Sequence, residues 1–196
     1  TRVANVYAQA VASSQANMEK LSYSMRYAGP VAAGFGHTIE ETVGTLMALY
    51  NAGLHGSQAG ITLRRTLQTL SNPAGEAKEV LAELGLTIED VHPEIHSLAD
   101  VVATLTDRGI TSTQVMRLFG HHAGTGMMAL LSQGSEALEE YTRTVTNTDK
   151  ALEMARTQID SLSGDVKLQE SMYESVALTM VDNFEPVLRR IIQQLT

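Results

Sequence analysis

The segment from Thr38 to Pro73 holds two complete helix-forming patterns joined by one glycine-punctuated connector, and a chain containing it has few options beyond helix packed on helix. Thr38 and Glu41 stand at the spacing at which a hydroxyl and a carboxylate each satisfy a backbone N–H orphaned at a helix start. Ile39, Val43, Leu46, Met47 and Tyr50 then recur at the three-four spacing of one helix face. Glu40 and Glu41 sit in the first turn, where the helix dipole favours acid. Gly53 stops this helix. Leu54-His55-Gly56 is a short connector, so the helix from Ser57 through Leu63, Leu67 and Leu70 folds back beside the first, and Pro73 closes the hairpin.

The same local logic repeats along the chain. Val3 to Tyr27 lacks Gly and Pro, and Tyr7, Val11, Ser14, Met18, Leu21 and Met25 step by four and three, which predicts one long helix with a narrow seam, ended by Gly29-Pro30. After Pro73 a helix carries Val80, Leu81 and Leu84 and stops at Gly85, where the left-handed C′ position prefers glycine. Leu86-Thr87-Ile88 is the only β-like fragment, too short for a sheet. Ser97 with Asp100 and Thr111 with Gln114 repeat the cap, starting helices that end at Gly109 and Gly120. Beyond Gly134 a helix bears Leu138, Tyr141 and Val145, and Thr146-Asn147-Thr148 forms a polar joint.

From there Leu152, Ile159, Val166, Tyr173, Met180 and Val187 recur every seven residues, with Ala155, Leu162 and Val176 three after some of them. This is a coiled-coil seam, weakened by Gln169, Asn183 and Arg190 at positions that prefer apolar side chains. If continuous, the arm is about 70 Å long at 1.5 Å per residue. Such a stripe needs a partner: the N-terminal helix, another copy, or chain lying elsewhere.

Composition agrees. With 5% aromatic residues in a chain that is 43% hydrophobic, the core is built from Leu, Val, Met and Ala at helix contacts, so the fold class is all-α. The expected organisation is a long N-terminal helix over residues 1–28, a compact multi-helix hairpin region over 29–146, and a long coiled-coil-like arm over 147–196. A net charge of -8 argues against specific nucleic-acid binding, which needs clustered Lys and Arg. There is no cysteine, and neither a run of roughly 20 apolar residues to span a bilayer nor a signal peptide is readable in this stretch. The chain starts at Thr1 and ends mid-pattern, as expected of a piece of a longer protein.

Several patterns invite chemistry and fail on spacing. His121-His122 with His55, His92 and His96 suggests a metal, but no Cys or His-Glu-x-x-His is present, and adjacent His side chains on a helix diverge by about 100°. Gly56-x-x-x-Gly60 and Gly120-x-x-x-Gly124 match membrane helix contacts, yet neither lies in an apolar 20-mer, so close approach of soluble helices is the expectation. Arg64 and Arg65 on the second hairpin helix are a weak footprint for reading DNA. Ser57 and Ser132 lack a nucleophile elbow, and Glu139-Glu140 point apart, so no catalytic residue, metal ligand or cofactor site is expected.

The order of these landmarks is informative. The Ala52-Gly53 turn, Gly56-Ser57-Gln58-Ala59-Gly60, Leu63-Arg64, Pro73, Leu84-Gly85-Leu86 and Leu118-Phe119-Gly120 together resemble the core region of bacteriophage tail tape measure proteins, from the first helix to about Pro186. The resemblance implies a structural tail protein inside the tube lumen, assembled in the host cytoplasm, that sets tail length and leaves with the DNA. It implies tail tube subunits and assembly chaperones as partners, with cell-wall hydrolase domains lying outside this segment. On this reading Gly53, Gly56, Gly60, Leu63, Arg64, Pro73, Gly85, Phe119 and Gly120 are packing landmarks. Leu152, Ile159, Leu162, Val166, Tyr173, Val176 and Met180 form a seam for a homo-oligomer. The competing readings are an acidic adaptor that captures a partner helix in the hairpin groove, and a channel-forming helical domain.

Overall fold

A computed structural model describes residues 2–157. Among them there is no strand, and the helices are α1 (Arg2–Ser13), α2 (Met18–Gly34), α3 (Ile39–Asn51), α4 (Ser57–Ser71), α5 (Glu76–Glu83), α6 (Leu98–Asp107), α7 (Ser112–Gln133) and α8 (Ser135–Val145), with a 3-10 turn at Glu89–Val91. The all-α class holds. The chain divides after Ala151. Of the second unit, residues 152–157 are described and are helical.

Local signals set the helix boundaries. Thr38/Glu41, Ser97/Asp100 and Thr111/Gln114 all form reciprocal capping boxes, with Thr38 N–H donating to Glu41 Oε2 at 2.7 Å and Glu41 N–H to Thr38 Oγ1 at 3.2 Å. Helices α3, α5 and α6 close alike: Leu54, Leu86 and Ile110 N–H groups reach back to Leu49, Leu81 and Leu105 carbonyls, across Gly53, Gly85 and Gly109 at positive φ. Each pairing puts an apolar residue just past the helix end back onto the core.

The expected long N-terminal helix is two helices. α1 stops at Ser13, because Ser14 Oγ turns back to the Ala10 carbonyl and Asn17 Oδ1 caps α2 through Lys20 N–H at 2.7 Å. These short polar side chains offer the backbone a competing set of bonds, which outweighs the four-three periodicity. Met18, placed in the seam by that periodicity, is half exposed. Nor does Gly29-Pro30 end α2, which runs to Gly34. Pro30 faces solvent, where a lost bond and a bend are tolerated, while Ala28 and Ala32 are fully buried. Residue 28 therefore lies within a core helix, and 1–28 is not a separate element.

α3 is the central strut. The periodicity predicts one buried face, but every residue from Thr42 to Tyr50 is buried, because small Gly44, Thr45 and Ala48 let neighbours close over the other sides. Three crossings pair a glycine with a short side chain or bare backbone: Gly60 of α4 on Ser24 of α2, Gly44 of α3 on Thr142 of α8, and Gly126 of α7 on Thr62 of α4. With few aromatics to fill space, the helices approach closely instead.

Candidate assembly site

Around Gly60 the hairpin landmarks gather. A Cβ on Gly60 would sit 2.7 Å from Ser24 Cα, so α2 and α4 touch backbone to backbone there. Ser24 is fully buried, and its hydroxyl lies 2.6 Å from Tyr50 Oη and 2.5 Å from the Gly56 carbonyl. The carbonyl can only accept, so Ser24 donates to it and Tyr50 donates to Ser24. Burial pushes the Tyr50 phenol above its ordinary pKa. Gly56 supplies that carbonyl from φ 56, ψ -132, a conformation closed to residues with a Cβ. One node thus fixes α2, α3 and the connector into α4.

The remaining landmarks spread outward. Leu63 is buried, and Arg64 lies with its guanidinium 5.8 Å from the Tyr27 ring centroid. Pro73 is buried just beyond α4, and the Gly85 carbonyl accepts from Arg108 Nη1 at 3.4 Å. Phe119 is buried against the core, and Gly120 (φ 67, ψ 178) breaks the helical path of α7, leaving residues 112–119 and 121–133 as two arms. Gly53, Gly56, Gly60, Leu63 and Arg64 therefore share one neighbourhood, whereas Pro73, Gly85, Phe119 and Gly120 do not join it. Of the seam, Leu152 is described and is half exposed; Ile159, Leu162, Val166, Tyr173, Val176 and Met180 lie outside the described residues.

Charge contributes three contacts that the apolar periodicity alone could not reveal. Arg2 grips Glu40 through two bonds of 2.6 Å, and its guanidinium holds that buried carboxylate below its usual pKa. Arg117 of α7 reaches Glu83, Glu79 and Glu76 of α5 at 2.8, 3.4 and 3.9 Å. The three glutamates are spaced by three and four, so one arginine meets the whole row; that spacing was the available signal. His37 is the most enclosed of the histidines in ion-pair contact: its side chain is 9% exposed, Nδ1 lies 3.9 Å from Glu41 Oε2, and Nε2 is buried without a partner. Burial lowers its pKa, only partly opposed by Glu41.

The other histidines do not converge. His121 and His122 are exposed and border an open cleft of about 320 Å³ with Leu54, Ser57, Gln58 and Ile61. His55 packs on Tyr50 at 5.5 Å between ring centroids, and His92 on Phe35 at 6.4 Å. Among the described residues no three His, Asp or Glu side chains form a metal-binding group, and no helix is long and apolar enough to cross a membrane.

Comparison with known proteins gives this bundle a context. Residues 1–121 match the family described as phage-related minor tail protein. Over 99% of its length the chain is 33% identical to the tape measure protein of Pneumococcus phage Dp-1, covering 18% of that protein. It is 29% identical, again over 99% of its length, to the probable tape measure protein of Escherichia phage P2, covering 25% of it. The chain thus spans about a quarter or less of the relatives it matches. No solved structure matches it significantly. A helical bundle whose landmarks are turns and close crossings, matched across most of its length by a tail-protein family, belongs to the phage-related minor tail proteins and is a structural component of a phage tail.

Proposed function

We propose that the chain is a segment of a tape measure protein that lies in the lumen of the tail tube, sets tail length during assembly and leaves with the DNA. The observation that carries this is similarity to two tape measure proteins over the whole chain. The mechanism is geometric: a helix rises about 1.5 Å per residue, so a long helical protein converts residue count into distance, and tube subunits add until it is covered. Residues 2–151 are folded back on themselves and measure length poorly. They serve instead as a node for self-association or for docking tube subunits and assembly chaperones, while the heptads from Leu152 onward set the oligomer. The segment is read as non-enzymatic, in keeping with the structural role of its relatives. An adaptor or channel role gains nothing from these comparisons. In-frame deletion of whole heptads from the helical regions of the parent protein shortens tails in proportion to the residues removed, measured by electron microscopy; tails of unchanged length overturn the ruler.

A further inference from the structure

The charges of the compact unit are unevenly placed. Helices α2 and α4 together carry Lys20, Arg26, Arg64 and Arg65 against one acid, Glu19, in a chain of net charge -8. Arg2, Arg117 and Arg143 are held by glutamates, whereas none of these four cations has an ion-pair partner among the described residues. Two of them lie on aromatic rings instead: Arg26 is 5.3 Å from the Tyr23 centroid, and Arg64 5.8 Å from that of Tyr27. The register that sets Gly60 on Ser24 also sets Arg64 on Tyr27 one turn later, and with Arg26 on Tyr23 this makes a band of two cation–tyrosine pairs across both helices, whereas Arg65 borders a cleft it shares with Glu76 and Arg117. A guanidinium resting on a ring is ordered with its charge still available.

The opposite surface exists on the same molecule. α8 exposes Glu136, Glu139 and Glu140 with Arg143 alone among them, and Arg143 is engaged by Glu140 at 2.9 Å. α3 stands between the two surfaces, its Gly44 toward α8 and its Tyr50 toward α2.

We propose that the α2–α4 band docks on the acidic face of α8 in a second copy of this chain. The two surfaces differ, so the contact is heterologous: each copy uses both, and association builds a ring or an open row instead of an isologous two-fold pair. A nucleic-acid strand is the competing polyanion, but one longer than the band runs onto acidic flanks, whereas α8 offers a few carboxylates over little more than one turn. The proposal gives the self-association read above a location in the compact unit and uses none of the C-terminal heptads.

Charge swapping in the full chain tests it by sedimentation velocity. Arg26→Glu with Arg64→Glu, the two cations that rest on the rings, makes one variant; Glu136→Lys with Glu139→Lys makes the other; circular dichroism checks that each is folded. Each alone self-associates about tenfold more weakly than the parent chain at low salt, an equimolar mixture recovers the association, and roughly 0.5 M salt weakens it. A parent chain that stays monomeric, variants that associate like the parent, or a mixture no better than its components overturns the proposal. So does a single-stranded DNA oligonucleotide that binds the parent but not the arginine variant while copies fail to associate. Tail length is read separately, so failure here leaves the ruler test standing.

Discussion

Gly60 and Ser24 meet without a side chain between them: a methyl group on residue 60 would lie inside the contact radius of the Ser24 backbone. Backbone cannot move aside as a flexible side chain can. Gly60→Ala therefore destabilises the bundle by about 1–3 kcal/mol in urea unfolding, despite a helix-propensity gain of up to about 1 kcal/mol. Gly34→Ala, at an exposed α2 position with nothing within 4 Å, is the control and is neutral or slightly stabilising.

The node beside it predicts an order of effects. Tyr50→Phe removes one donor and leaves Ser24 bonded to the Gly56 carbonyl, a loss of about 1 kcal/mol. Ser24→Ala leaves the buried Tyr50 hydroxyl without its serine partner, while the Gly56 carbonyl keeps the Gly60 N–H at 3.2 Å, and costs more, about 1–3 kcal/mol. The double variant is less destabilised than the sum, by chemical denaturation of all four members of the cycle.

Gly120 interrupts α7 in a region of backbone space open only to glycine. Gly120→Ala costs about 1–3 kcal/mol if the kink is kept, or straightens α7 and displaces Phe119 and His121. Both results lower the thermal midpoint, and amide exchange across residues 112–133 separates them.

The buried His37 ties stability to pH. Its folded pKa lies below the unfolded 6.5, so the unfolded chain takes up the proton first. Its contribution is intact above about 6.5 and is lost as pH falls below that value. The charged group facing it is Glu41, 3.9 Å away, which only partly offsets burial. Urea midpoints for the parent chain decline from pH 7 toward pH 5, and His37→Gln flattens that window. Below it the Arg2-paired Glu40, also depressed, adds its own loss.

What could be read in advance follows the range of the interactions. Capping boxes and glycine stops depend on residues three to six apart, so the starts of α3, α6 and α7 and the ends of α3, α5 and α6 were legible. Gly60 was legible as a close approach from its small-residue spacing, though not its partner Ser24. The break at Ser14 to Asn17 was hidden because a strong apolar period ran across it, and Pro30 misled because its exposure depends on which side of α2 the core occupies. The all-round burial of α3, the Arg2–Glu40 pair and His37 depend on neighbours far along the chain, and no local pattern encodes them. The uneven split of charge between α2–α4 and α8 was present in the residues, but only the placement of those helices makes it two surfaces.

The joint after α8 has a mechanical corollary. Thr148 donates to Gln9 and the Ala151 N–H to Asn5 Oδ1, so the last residues of the compact unit are stitched to its first helix. Arg2, Asn5, Asn147 and Asp149 line one cleft. A tether drawn tight through this molecule arrives and departs at nearly the same spot, so a stretch that would extend about 225 Å as one straight helix adds almost nothing to the contour. On the ruler reading proposed above, this compact unit is a knot tied in the string, contributing grip and bulk but no reach.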